Sequence, residues 1–496
     1  MLRPTAKPQL IDLLWSIPLG ACLIAPHVIG LGYRPYQIEV GVAAMLGIIV
    51  MSGAWAGGRV WAPLFRVPLG FALYIIIDIY FLNADPLWIW GSVLAVCLVL
   101  GRTAGALPAA LGTFGIAFLG ATVFGSHPVL FHRTSIANSA QQAAASEAPP
   151  TVIHVLLDEH IGSGGLPEEV FSASEIEQFN TFFSDRKFRI YANSHSEVAD
   201  TRDSVTQLMT LGGLRHAKNA KLSLNPYFFA MLERGYRVSV IQSDVMGVCS
   251  EEMRAAIDCA TYSISFPHPD VLATLKPEER IRVLLQQLQN DYFGQTRVRH
   301  VGLYRSLALL TAAKERLHHF PMMHTLLSRP VFAEARTRLR NAGRGELYFI
   351  HLLEPHYPYV FRADCSTRPF SEWRATTAEI DGASTTTWAM RYRLYWEQMQ
   401  CVWSQVDELL AVVNANEQLN DAIILLHGDH GSRIRAPKGE VISDAQRDDD
   451  LHSTLFAVRG PGIVPGVDKR SVWLVEAFAE ALKLPLAAKL QTCLVC

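Results

Sequence analysis

The sequence carries no excess of one charge: 44 Lys and Arg stand against 46 Asp and Glu, a formal net charge of -2 over 496 residues. Such a balance gives no whole-chain attraction for nucleic acid, whose binding rests on neutralising phosphates. Cysteine is sparse, with 8 in the chain, and the C-terminal pair Cys493 and Cys496 has no second CxxC or His pair that would complete a zinc site. There is no internal repeat, which leaves out solenoid and array architectures. What the chain does have is apolar residue. Half of it (50%) is hydrophobic, and the mean hydropathy of +0.17 is high for a soluble enzyme.

The excess lies at the front. Long apolar stretches run over Ile11–Leu31, Ile38–Ala56, Val67–Leu82, Leu87–Leu100 and Ala104–Phe124. Each is near the ~20 residues a helix needs to cross the hydrocarbon layer, the third and fourth being short, and together they predict about five spans over residues 1–125. A cleaved signal peptide is one short segment and does not account for hydrophobicity on this scale. With five spans, Arg3, Lys7, Arg59, Arg66 and Arg102 fall on one side, and Arg34 and Arg133 on the other. The richer side is the cytoplasmic one, so everything after Phe124 is expected outside the inner membrane. Asp78 inside the third span packs against another helix or lies near an end. Cys249, Cys259, Cys365, Cys401, Cys493 and Cys496 all belong to the outer part, where disulfides persist. Cys249 with Cys259, bracketing a short polar loop, is the best candidate bridge.

Residues 126–150, rich in Ala, Ser and Gln and ending in Pro149 and Pro150, read as a tether. From Thr151 strand-like runs (Val152–Leu157, Arg189–Ala192, Arg237–Gln242, Leu347–Leu353, Ala422–Leu426, Thr454–Val458) alternate with helical ones (Glu175–Phe183, Thr387–Val413, Val472–Leu482). That alternation predicts an α/β domain over 151–496 with a mainly parallel sheet flanked by helices. Residues 277–344 interrupt it with a long, strongly basic helical stretch. Its amphipathic faces suit either an anionic lipid surface or packing on the sheet.

Three apolar runs end in polar groups: Asp158 and Glu159 after the first, Glu354 and His356 after Leu347–Leu353, and Asp429 and His430 after Ala422–Leu426. In an open α/β sheet the carboxyl ends of the strands border the ligand crevice, so three such endings suggest one shared site. Gly428 and Gly431 flank the Asp429–His430 pair and allow a tight turn there. Carboxylates with an imidazole suit zinc or manganese better than calcium or magnesium, which remain alternatives. Such an ion activates a hydroxyl and offsets charge on a phosphoryl or sulfuryl oxygen.

In this order the motifs resemble the sulfatase-like branch of the alkaline phosphatase superfamily, which contains lipoteichoic acid synthases and phosphoethanolamine transferases. In that branch a strand ending in an acidic metal ligand comes first, followed by a Thr in T-x-x-S-x-P-x-L-x-T-G, a His in a stretch like LxPHxPY, DHG, and a further His. This chain has LLDEHIG, TRDSVTQLMTLG from Thr201, LLEPHYPY with His356, HGDHGSR, and DLHSTLFAVRGPG with His452. The match covers Thr151 to about Gly466, and several membrane spans in front are also how those transferases are built. The resemblance implies a multi-span α-helical membrane domain followed by a sulfatase-like α/β domain. It implies Asp158, Thr201, Asp429 and His430 as ligands of a divalent metal ion. Thr201 would also be the nucleophile, and His356 and His452 would bind the substrate's phosphate oxygens or its leaving group. Glu159 matches a second acid of sulfatases and is a candidate further ligand.

The chain departs from the family at several points. Head-group transferases usually carry Glu where Asp158 stands, and the proline expected after Val205 is Thr206. The C/S-x-P-x-R motif of true sulfatases is missing, and Cys365-Ser-Thr-Arg-Pro is not a version of it. The hydroxyls of Ser196, Ser204 and Thr206 compete with Thr201 for the nucleophile's place. The reading favoured by these residues is a transferase in the bacterial inner membrane, with its catalytic domain on the periplasmic or extracellular side. It would move a phosphoethanolamine or phosphoglycerol head group from a phospholipid donor to an envelope glycan or lipid acceptor. The alternatives are a membrane-tethered hydrolase of phosphodiesters or sulfate esters and a catalytically dead scaffold, which binding of a transition metal would argue against.

Overall fold

The computed structural model describes residues 148–213, 225–262, 324–369, 387–434 and 440–487, apart from a few positions, together with 131–134 and short stretches before 50 and between 276 and 284. Two compact units emerge, one of residues 1–129 with 266–318 and one of 130–265 with 319–496. In the first, residues 38–45 and 47–49 are helical, and the buried Glu39 pairs with Arg280 at 2.5 Å. The expected spans at 67–82, 87–100 and 104–124 lie outside the described residues, as does Asp78, and those at 11–31 and 38–56 are described only in part. Among the described residues no helix is long and apolar enough to cross a membrane. Most of the basic stretch 277–344 and the pair Cys493 and Cys496 also fall outside them.

The second unit is built on one mainly parallel, nine-stranded sheet. Its strands are β1 (Phe131–Thr134), β2 (Val152–Leu157), β3 (Arg189–His195), β4 (Arg237–Ser243), β5 (Asp258–Tyr262), β6 (Glu346–Leu352), β7 (Ile423–His427), β8 (Phe456–Arg459) and β9 (Gly466–Trp473), in the order β1-β5-β4-β6-β2-β7-β8-β3-β9. Every residue of β2 is buried, as its unbroken apolar character requires of a strand covered on both faces. It pairs in parallel with β6 on one side and β7 on the other, so all three carboxyl ends share one edge. β8 runs antiparallel to β7, and β3 antiparallel to β8. The segment leading into β8 and the one leaving β3 therefore reach that same edge, where His195 bridges Ser453. This topology alone gathers Asp158, Asp429, His452 and the start of the Thr201 segment.

The helices are α1 (Ala173–Asp185), α2 (Thr201–Met209), α3 (Pro226–Glu233), α4 (Ser328–Arg340), α5 (Trp388–Ala415), α6 (Asp444–His452) and α7 (Leu474–Leu482). One core of aliphatic and aromatic side chains joins α2, α3 and α7 to a face of the sheet. Several elements differ from the sequence reading, among them α2 and α3, which form where no helix is expected. β1 lies inside the expected tether, where pairing with β5 makes it a strand. β5 has a charged start and no apolar run. β9 is largely exposed and is held by its ladder with β3, and it takes Val472 from the expected helix. α6, polar but for Ala445 and Leu451, starts at a Ser443 capping box and has no apolar stripe. Disulfides join Cys249 to Cys259 and Cys365 to Cys401.

Candidate metal centre and active site

Asp158, Asp429 and His430 offer ligand atoms that all lie within 4.8 Å of one another, and all three residues are buried. Asp158 follows β2 directly, and Asp429 and His430 follow β7 after Gly428. The Asp429 turn is tight because Gly428 and Gly431 leave room for neighbouring backbone: a Cβ on Gly428 would meet the His160 carbonyl oxygen at 2.3 Å, and one on Gly431 the Asp450 carbonyl oxygen at 2.3 Å.

The hydrogen bonds at the cluster leave the metal-facing atoms exposed to one another. His430 Nδ1–H donates to the Gly431 carbonyl at 2.9 Å, which turns Nε2 toward the two carboxylates. Asp429 Oδ1 accepts the Glu159 N–H at 2.9 Å. Asp429 Oδ2 has no hydrogen bond among the described residues and lies 3.1 Å from His430 Nε2. An orphaned buried carboxylate oxygen, a second carboxylate and an imidazole nitrogen form a donor set that fits a divalent cation. Burial works against the charge on His430, but the Asp429 carboxylate outweighs it and raises the imidazole to about 9. Burial likewise opposes the Asp429 charge, and His430 overcomes it, holding this carboxyl well below its ordinary range.

Thr201 is the first residue of α2, whose N-cap Asp200 accepts from the Arg202 and Asp203 amides. Its Oγ1 lies 3.1 Å from His430 Nε2 and donates to Asp158 Oδ1 at 3.4 Å. Two of the competing hydroxyls are committed elsewhere, and the third is shut off by burial. Ser204 Oγ donates to the Asp429 carbonyl at 2.6 Å, Ser196 Oγ donates to the Val198 carbonyl at 2.8 Å, and Thr206 is fully buried. A helix N-terminus also favours negative charge at the Thr201 oxygen.

The remaining expected residues stand around this cluster. His356 Nδ1–H donates to the Tyr357 carbonyl at 2.5 Å, and its Nε2 accepts from Arg433 Nη2 at 3.2 Å. His452, at the end of α6, donates through Nδ1 to the Ser196 carbonyl at 3.0 Å, which ties it to the segment leading to Thr201. Glu159 is bound by Arg433, with Nε at 2.6 Å from Oε1. Glu354 is buried and accepts from Gln405 at 3.1 Å, and burial pushes its carboxyl up to about 8.

Several residues went unnoticed in the sequence. His351, on β6, donates to or accepts from Ser243 Oγ through Nδ1 at 3.2 Å, and its buried Nε2 faces Asp158 Oδ2 at 3.9 Å. Its place in the strand's alternation, in phase with Leu347 and Phe349, is the cue that puts it beside Asp158. His154 and His427 meet at 2.6 Å beneath the site, and burial lowers both, His427 to about 4, so one neutral ring donates to the other. α5 is the scaffold. Tyr395 Oη accepts the Ile161 N–H and donates to the Glu159 carbonyl, while Gln398 bonds the Pro355 and His356 carbonyls and the Val360 and Phe361 amides. Trp388 and Tyr392 donate to Asp450 of α6, whose carboxyl burial pushes up to about 7. These positions recur along one stripe of the helix, so a single rigid element sets three loops of the site.

Fold and site together define an α/β domain whose sheet edge presents a carboxylate–imidazole cluster with a threonine hydroxyl at a helix N-terminus. No family model matches the chain, and no curated protein does. Solved structures similar to it include a lipoteichoic acid synthase, LtaP, from Listeria monocytogenes, at 11% identity over 71% of this chain and 77% of that one, TM-score 0.37. The C-terminal periplasmic domain of EcEptC from Escherichia coli is similar at 13% identity, over 73% and 86%, TM-score 0.36. A 2-O GAG sulfatase is similar at 12% identity, over 69% and 72%, TM-score 0.38. Identities and scores this low transfer no residue roles, which rest on the side chains described above.

Proposed function

We propose that the chain is a membrane-embedded, metal-dependent transferase. It takes a phosphoethanolamine- or phosphoglycerol-type head group from a phospholipid and passes it to an envelope glycan or lipid by way of a phospho-threonine at Thr201. The observation that carries this reading is the Thr201 hydroxyl, placed against both His430 and Asp158 at the start of α2. Asp158, Asp429, His430 and Thr201 would hold a divalent ion, zinc or manganese by donor type. When bound, it supplies a Lewis acid that lowers the pKa of a hydroxyl and offsets charge on a phosphoryl oxygen.

The chain's own residues supply the rest. Thr201 Oγ1 attacks phosphorus, the bond to the diacylglycerol oxygen breaks, and an acceptor hydroxyl then displaces Thr201 in a second, like step. His452, anchored on Ser196 next to the nucleophile's segment, would hold the leaving oxygen. The long apolar stretches of residues 1–125 support the lipid donor, since such a donor must be met at the bilayer, with the catalytic domain of 151–496 on the outer side. A hydrolase of phosphodiesters or sulfate esters is the second reading, and Asp158 in place of the transferases' glutamate favours it.

Incubating the full chain with labelled phosphatidylethanolamine or phosphatidylglycerol in liposomes tests both. Diacylglycerol release with label on an acceptor is expected. Label appearing only in water supports hydrolysis, and no release from either lipid overturns the transferase.

A further inference from the structure

Arg433 lies three residues beyond His430, and none of the roles assigned above uses it. Its backbone is in the left-handed region at φ 50°, and so is that of Glu159 at φ 63°. Each such non-glycine conformation is strained and persists only where the surroundings enforce it. Here the enforcement is visible. The Arg433 N–H donates to the Asp450 carbonyl at 2.7 Å, and the Gly431 N–H to the Leu451 carbonyl at 3.0 Å, bending the chain back over the cluster. The two strained residues meet each other through their side chains.

The way they meet is unlike a structural ion pair. Arg433 Nε and Nη2 both bind the same oxygen, Glu159 Oε1, at 2.6 and 2.5 Å, and the buried Oε2 is left without a hydrogen bond. Arg186 shows the ordinary fork elsewhere in the fold, with Nε on one oxygen of Asp407 and Nη2 on the other. Offset as it is, the Arg433 guanidinium keeps Nη1 without a hydrogen bond among the described residues, and its side chain remains 23% exposed while Glu159 is fully buried.

His356 completes the arrangement. Its Nδ1–H is spent on the Tyr357 carbonyl, so Nε2 carries a lone pair and accepts from Arg433 Nη2. In this tautomer the imidazole has no proton to offer a substrate oxygen. The donor beside it is the guanidinium.

We infer that Arg433, oriented by Glu159 and His356, binds the non-bridging oxygens of a tetrahedral oxyanion substrate next to Thr201. The inference rests on the reading of the cluster as a phosphoryl- or sulfuryl-transfer centre. It makes Glu159 and His356 positioning residues, and it makes the fixed charge of Arg433 the feature that selects an anionic substrate.

The test is calorimetric titration of orthovanadate and inorganic phosphate into the full chain loaded with zinc, with metal content measured alongside. Arg433→Gln is expected to bind oxyanion roughly 30-fold more weakly or worse, the scale of a lost charge-assisted hydrogen bond, at unchanged metal content. Arg433→Lys, which keeps the charge and loses the fork, should fall between. Glu159→Gln separates this role from a structural one. It retains an acceptor for the guanidinium but loosens its orientation, so oxyanion affinity is expected to fall only a few-fold, well short of the loss in Arg433→Gln, whereas a merely structural pair weakens alike from either side. Full affinity in Arg433→Gln, or parallel losses in Arg433→Gln and Glu159→Gln, overturns the inference and leaves the transfer reading standing. A wild type that holds zinc and binds neither oxyanion overturns both. Should Arg433→Gln fail to fold, the Arg433→Lys and Glu159→Gln titrations still decide.

Discussion

At the scale of single residues, the chemistry concentrates on a few side chains whose surroundings make them unlike their kind. Thr201 is the hydroxyl in contact with both His430 and Asp158. Thr201→Ala is therefore expected to fold, to lose activity by roughly a thousandfold or more, and to yield no phospho-protein by mass spectrometry. Retained turnover would move the nucleophile to Ser196, Ser204 or Thr206. Asp429→Asn should come through purification with almost no transition metal by elemental analysis, because an amide supplies a weaker ligand at the centre of the cluster. Glu354 makes a different prediction. Its folded value, about 8, stands above the ordinary 4.5 because of burial, so its stability contribution is present below 4.5 and is lost as pH rises through 8. The melting temperature of the wild type should therefore fall between pH 6 and pH 9, and Glu354→Gln, which keeps an acceptor for Gln405, should flatten that slope. Equal slopes in the two proteins would show that Glu354 ionises freely.

At the scale of elements, the strands carry the ligands and α5 holds the loops. Gln398 alone satisfies two carbonyls and two amides of the loop around His356, and the Cys365–Cys401 disulfide pins the end of that loop to the same helix. Gln398→Leu leaves those buried groups unpaired, at about 2 kcal/mol or more. It should lower the melting temperature and raise KM while metal content stays at the wild-type level, since Asp158, Asp429 and His430 hang from strands. Metal lost in proportion to activity would count against this division of labour. The strand ends were legible in the sequence because an apolar run of strand length closing on acidic or imidazole groups is a local pattern. α5 was legible as a helix but not as a scaffold, because its Tyr395 and Gln398 act on segments far away in the chain.

At the scale of the whole molecule, the sequence places a hydrophobic block of residues 1–125 ahead of an α/β domain. The full chain is expected to resist carbonate extraction from membranes, with residues after 151 cut by protease added from the outer side of spheroplasts. Release by carbonate, or protection from that protease, would remove the lipid donor from the proposed reaction.

The α/β class, the strands β2, β3, β4, β6, β7 and β8, and the candidacy of Asp158, His356, Asp429 and His430 were legible in the sequence itself, since periodicity and the residues that end a strand are local properties, while Thr201 and His452 were candidates through the resemblance of the motif order. Which strands neighbour one another, and hence which endings share an edge, was decided only by the sheet's topology. The same holds for the partners of each polar atom. That Ser204 is committed to the Asp429 carbonyl, that His356 Nε2 meets Arg433, and that Arg433 takes Glu159 are facts of contact across up to 274 positions of chain, and no local pattern encodes contacts at that separation.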